Sequence, residues 1–177
     1  MSSASRYLKL SPAEQIMRAK LMAGRKDIGY SMTPGKNGGR DPNAKDPCSV
    51  GTRTADCVGF ALWAMGLDRY QPDFVCGSYE GWINTNSMML DAIGLRSFFT
   101  PMVELVYPHL LVYPSASKKL LAQGYPRVGH VGVVVEIDRA VHCSAGNARR
   151  LGHAIDYGPE KIWSKHPRCM RLVLSER

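Results

Sequence analysis

Apolar and polar positions change their period part-way along the chain. From Ser11 to Arg25 the spacing is helical, with Ile16, Ala19, Lys20 and Ala23 laying a partly apolar stripe along one face. Ser11 is placed to cap this helix, Pro12 suits its first turn, and Glu14 stands where a capping box needs an acceptor. Gly24 supplies a stop. Cys57 to Gly66 reads as a second, shorter helix, with Val58, Ala61, Leu62 and Met65 at core spacing. Ser78 to Ile93 is read as a further helix with indistinct bounds. After it the period shortens. Leu110 to Tyr113, Val131 to Glu136, Ala140 to Cys143, Ala154 to Tyr157 and Met170 to Leu174 read as strands separated by turn-like segments. Helices first and strands later predict an α+β fold, an antiparallel sheet packed on the early helices.

Thr33 to Gly51 interrupts the pattern with Gly, Pro, Asn and Asp, and reads as a long irregular loop. Asp41, Asn43 and Asp46 lie close together there and invite a calcium reading. The spacing fails as an EF-hand, because Asp46 stands where the turn glycine belongs and Thr52 where the bidentate Glu belongs. A solvated loop is the expectation.

A chain of 177 residues with 45% apolar content is expected to form one domain over residues 1–177. Its longest apolar runs are strand-sized, far from the roughly 18 residues of a membrane-spanning helix, so no stable membrane insertion is expected. The first residues carry no apolar core of the secretory kind, and synthesis in the cytoplasm is the expectation. A net charge of +8, from 23 basic against 15 acidic residues, favours anionic partners such as a cell wall or an acidic membrane face. Basic pairs such as Lys118-Lys119 and Arg149-Arg150 are scattered, without aromatic interleaving, so nucleic acid is not an expected partner. Five cysteines at irregular spacing argue against a disulfide framework, and Cys48, Cys76 and Cys169 are read as small, reduced residues. No Cys-x-x-Cys and no His-x-x-x-His pair is present, which argues against a structural zinc.

The chemistry concentrates in three residues. Cys57 falls where loop gives way to helix, and the helix dipole there is expected to lower the thiol pKa. His130 opens a strand in Gly129-His130-Val131-Gly132-Val133 and is placed to take the thiol proton. His142 ends the next strand after a turn near Asp138-Arg139, so that it can bond one nitrogen of His130 and orient the ring. Both imidazoles are expected to face the helix that carries Cys57. A plainer reading makes Cys57 an inert buried residue and the two histidines ordinary strand-end polar groups; a third makes the trio metal ligands.

Asp56-Cys57-Val58-Gly59-Phe60, Gly129-His130-Val131-Gly132-Val133 and Val141-His142 resemble the signature blocks of the NlpC-type papain-like cysteine peptidases. The resemblance covers roughly residues 25 to 145. It implies a papain-like fold with the nucleophile at a helix N-terminus, Cys57 as nucleophile, His130 as general base and His142 as the residue that orients it. It also implies hydrolysis of peptide stems of bacterial peptidoglycan, typically beside a D-glutamyl residue, with no cofactor. Ile28-Gly29-Tyr30 resembles the family's tyrosine block, although the usual Trp-Gly-Gly continuation is absent, and Pro108-His109 stands where the family has Gly-Asp.

For the oxyanion of an acyl-transfer step the Cys57 backbone N–H is the first expected donor and the Tyr30 hydroxyl the second. Trp82 and Asn84 are candidates to line the cleft, Trp82 having core packing as its alternative. His109, His153 and His166 are read as surface or structural. A thiol acyltransferase and a non-catalytic wall-binding domain are the rival readings. Delivery to the wall without an export signal would fall to phage tail, holin or secretion machinery, as for a lysin, a tail-associated hydrolase or an injected toxin.

Overall fold

The computed structural model describes residues 10–32 and 54–175. The loop reading of 33–51, with Asp41, Asn43, Asp46 and Cys48, lies outside the described residues. Helix α1 (Pro12–Met22) begins on a reciprocal capping box: the Glu14 N–H donates to Ser11 Oγ at 3.3 Å and the Ser11 N–H to the Glu14 carboxylate at 2.7 Å. It buries Ala19 and Met22 and ends before Gly24, whose φ of +77° is in the left-handed region. Strand β1 (Gly29–Tyr30) runs parallel to β2 (Thr54–Ala55) and places Tyr30 opposite Ala55. Helix α2 (Cys57–Ala64) follows at once, with Asp56 as its N-cap. Cys57 through Leu62 are all buried, so α2 is a core helix rather than an amphipathic one.

The segment expected to be helical from Ser78 is split. Strands β3 (Tyr70–Cys76) and β4 (Tyr79–Trp82) form an antiparallel hairpin, and helix α3 begins later (Thr85–Ile93), capped by Asn84. Gly81 explains the difference. Its φ is +68°, and a Cβ there would lie 2.5 Å from the Tyr70 ring, so the chain crosses Tyr70 in a conformation closed to other residues. Asp91 of α3 is fully buried and accepts the backbone N–H groups of Ser97, Phe98 and Phe99 at 3.0, 2.9 and 2.8 Å. That carboxylate fixes the start of β5 (Phe99–Pro101).

The remaining elements are β6 (His109–Tyr113), α4 (Lys118–Ala122), β7 (His130–Glu136), β8 (Arg139–Cys143), α5 (Ala145–Leu151), β9 (Ile155–Gly158), α6 (Lys161–Ser164) and β10 (Met170–Leu174). Six strands form one sheet in the order β5-β10-β6-β7-β8-β9, with every neighbouring pair antiparallel. The fold is α+β. One sheet face carries Leu110, Val112, Val131, Val133, Val135 and Val141 into the main core with α1 and α2. The other carries Leu111, Tyr113, Val134 and Ala140 against Trp163 of α6. Two apolar faces, each covered by helix, are what position the site between them.

Candidate active site

Cys57 is the first residue of α2 and only 7% exposed. Asp56 holds this corner. One carboxylate oxygen accepts the Gly59 N–H at 2.7 Å, and the other pairs with the Arg69 guanidinium. Arg69 in turn lies 4.7 Å above the Trp82 ring and donates Nε–H to the Ile83 carbonyl at 3.3 Å. A cleft of about 280 Å³ opens beside the sulfur, lined by Tyr30, Met32, Asp56, Cys57, Val58, Arg69, Asn84, Thr85, Asn86, Ser115, Val128 and Gly129. The β1–β2 pairing brings Tyr30 to this cleft across the intervening segment. Trp82 is buried beneath Arg69, in keeping with the packing alternative, and is not among the residues lining the cleft, whereas Asn84 is.

Nε2 of His130 and Nδ1 of His142 are 2.9 Å apart, a hydrogen bond across β7 and β8. The ring of Trp163 stacks on His130 at 5.5 Å and 14° and meets His142 edge-on at 5.0 Å and 85°. Glycines make room for this arrangement. A Cβ on Gly132 would stand 2.5 Å from Trp163 Cζ2, and one on Gly158 would stand 2.8 Å from His142 Nε2.

The two imidazoles do not face α2, contrary to the expectation from sequence. Strand alternation puts His130, Gly132 and Val134 on the Trp163 face, and Val131, Val133 and Val135 on the face that packs against α2. At the start of β7 the Val131 N–H, one residue from His130, is directed at the Cys57 sulfur. Among the described residues no hydrogen bond joins that sulfur to the His130 ring, and Nδ1 of His130 has no protein partner.

The protonation states also differ from expectation. Burial, and then the Asp56 charge, push the Cys57 thiol up to about 12, against the opposing pull of the Val131 N–H, Arg69 and the Val58 N–H. The helix-terminus effect is real but smaller than the desolvation of a buried sulfur. Burial, and then the neighbouring His142, bring His130 down to about 3, and burial brings His142 down to about 4. The resting site is therefore a neutral thiol beside two neutral imidazoles. Burial and the nearby Cys57 also raise the Tyr30 hydroxyl, which stays a donor at any ordinary pH.

Among solved structures, NlpC1 from Trichomonas vaginalis is similar over 99% of this chain, at 13% identity and a TM-score of 0.49. NlpC2 from the same organism is similar over 99% at 15% identity and a TM-score of 0.43. This chain spans about half of each, 47% and 49%. No family model matches the sequence, and no curated protein matches it.

Trp163 and Arg69 were not expected at the site. Gly132 was the available signal for Trp163, since a glycine inside a strand marks a close approach. Of the other histidines, His109 is buried with Nδ1 bonded to the Val106 carbonyl at 2.7 Å, and His166 is stacked on Tyr113 at 4.5 Å. His153 bonds Asp156 at 3.0 Å. Cys57, Cys76, Cys143 and Cys169 are free thiols, and Cys143 donates to the Ala55 carbonyl at 3.3 Å. Among the described residues no group of three or more His, Cys, Asp or Glu is placed to hold a metal ion.

Proposed function

We propose that the protein is a cysteine peptidase or amidase that hydrolyses peptide stems of bacterial peptidoglycan, with Cys57 as nucleophile, His130 as general base and His142 as the residue that orients it. The observation that carries this reading is a buried thiol at a helix N-terminus beside a cleft, with the N–H of the residue after His130 directed at its sulfur and the His130 ring held at 2.9 Å by a second histidine. The motif resemblance supplies the substrate class.

With a proton on Nε2 donated to His142 Nδ1, the lone pair of His130 is on Nδ1, the nitrogen left for the thiol proton. Because both groups rest neutral, proton transfer to His130 accompanies sulfur attack on the substrate carbonyl instead of preceding it. The carbonyl oxygen takes up negative charge, for which the N–H of Cys57 at the start of α2 and the Tyr30 hydroxyl are the donors. His130 then returns the proton to the leaving amine, leaving a thioester on Cys57. Water, deprotonated by His130, cleaves the thioester to a carboxylic acid and restores the thiol.

Digestion of purified peptidoglycan by the wild type and by Cys57→Ala, with mass spectrometry of the products, tests this reading. Defined stem peptides are expected from the wild type alone. Equal release by both proteins would remove Cys57 from the mechanism.

A further inference from the structure

We infer that Asp156 is a positioning residue for the histidine pair, an anionic counter-charge set opposite His142 on the neighbouring strand to stabilise the positive charge that the pair takes up with the Cys57 proton. The inference rests on the proposed roles of Cys57 and His130 and adds a fourth group to them.

Three observations place it. The β8–β9 register sets His142 directly across from Asp156, and facing residues in an antiparallel pair have Cβ atoms about 5 Å apart. Asp156 is itself held: Oδ2 accepts from His153 Nε2 at 3.0 Å and Oδ1 accepts the Tyr157 N–H at 2.7 Å. His153 contributes nothing else through its ring, since its Nδ1 is buried without a partner. Gly158, two residues further along β9, leaves the space that the outer edge of the His142 ring occupies. Strand, turn and glycine thus bring a fixed carboxylate and an imidazole together on the Trp163 face.

When Cys57 Sγ gives its proton to His130 Nδ1, the pair gains one proton and one positive charge, shared through the 2.9 Å bond. The groups around His142 are His130 on β7, Asp156 on β9, the Arg150 guanidinium from α5 and the uncharged Trp163 from α6. Asp156 raises the affinity of His142 for a proton and Arg150 lowers it. Without Asp156 only the opposing cation is left beside a charged pair in a desolvated site, where charge effects are strong.

Asp156→Asn keeps the size and, through its one carbonyl oxygen, the bond accepted from the Tyr157 N–H while removing the charge; its NH2 faces His153, whose ring then accepts through Nε2. Titration of 15N-labelled histidine rings by NMR is expected to show the His130–His142 pair protonating roughly one unit lower than in the wild type. Alkylation of Cys57 by iodoacetamide at pH 7 is expected to slow roughly tenfold, the equivalent of one unit. Asp156→Glu, which restores the charge, is expected to recover both. A merely structural role for Asp156 would loosen the site and leave the ring titration where it was. Asp156→Ser provides a second, smaller neutral variant should Asp156→Asn not fold. Unchanged ring titration in either folded variant would overturn the inference, even if Cys57→Ala abolishes hydrolysis. Conversely, a shifted titration with equal peptidoglycan digestion by wild type and Cys57→Ala would uphold the counter-charge and reject the hydrolase.

Discussion

Gly132→Ala probes the support of the histidine pair without touching a polar group. The added Cβ would lie 2.5, 3.0 and 3.3 Å from Cζ2, Cη2 and Cε2 of Trp163. Such an approach cannot be relieved by rotating a flexible side chain, because the indole is rigid and fully buried between the sheet and α6. Overpacking of this kind costs about 1–3 kcal/mol, against which the gain from a less flexible unfolded chain is only about 0.4–1 kcal/mol. A net cost near 1–2 kcal/mol lowers Tm by roughly 2–8 °C in a protein of this size. The same displacement moves the ring on which His130 stacks at 5.5 Å, so the hydrolysis proposed above is expected to fall roughly tenfold or more. Thermal unfolding by circular dichroism and product release measure the two effects. Gly146→Ala in α5 is the control, since its Cβ would meet only Ser144 Oγ at 3.7 Å and a helical alanine should stabilise. The decisive measurement is the double variant Gly132→Ala with Trp163→Phe, in which the smaller ring makes room for the methyl. A favourable coupling above about 0.5 kcal/mol is expected between the two substitutions. Additive losses, or a Gly132→Ala protein as stable as the wild type, would refute the packing account.

Further consequences follow from the charge states and the ion pair. The Cys57 thiol, raised to about 12, is expected to react with iodoacetamide at pH 7 more slowly than free cysteine and to quicken as pH rises toward that value; a fast plateau at neutral pH would contradict a neutral resting site. His130 and His142 protonate in the folded protein at about 3 and about 4, below their unfolded value of about 6.5. The unfolded chain therefore binds more protons in that interval, so stability is fully present above about 6.5 and declines as pH falls through the window toward 4. Denaturant unfolding from pH 7 to pH 4 should show the decline, and His142→Gln should flatten it. Arg69→Ala strips the partner from a buried Asp56 carboxylate and is expected to cost about 3–5 kcal/mol; a loss below 1 kcal/mol would show that the pair is solvated.

The elements that sequence made legible are those whose signal is local. Ser11 and Glu14 announce a capping box that the structure contains atom for atom, and the five strand assignments fall within a residue or two of the observed spans. Where non-local contact decides, the pattern misleads. Met88, Met89 and Ala92 carry a helical period, but Tyr79 to Trp82 is drawn into a hairpin by Gly81 crossing Tyr70. Strand β5 is three residues long and ends in a proline, and its position is fixed by Asp91 from another element. The insertion of the C-terminal strand β10 between β5 and β6 has no signature in local periodicity at all.

At the site, residue identity was more readable than orientation. The twelve-residue interval between His130 and His142 does correspond to neighbouring antiparallel strands with their rings bonded. Yet strand alternation sends both rings to the face opposite α2, a choice made by register and not by residue type. That choice has a chemical consequence. On the α2 face the imidazoles would lie among the aliphatic side chains of the main core, with Val133 and Val141 as immediate neighbours. On the Trp163 face they have an indole surface that Gly132 admits, a glycine, Gly158, that admits the His142 ring, and a carboxylate opposite His142. A base that rests neutral and must become charged during reaction needs such surroundings, because an aliphatic core has nothing to answer the charge. The placement that defeats the simple expectation is thus the one that would answer a positive charge on His130 in the proposed reaction.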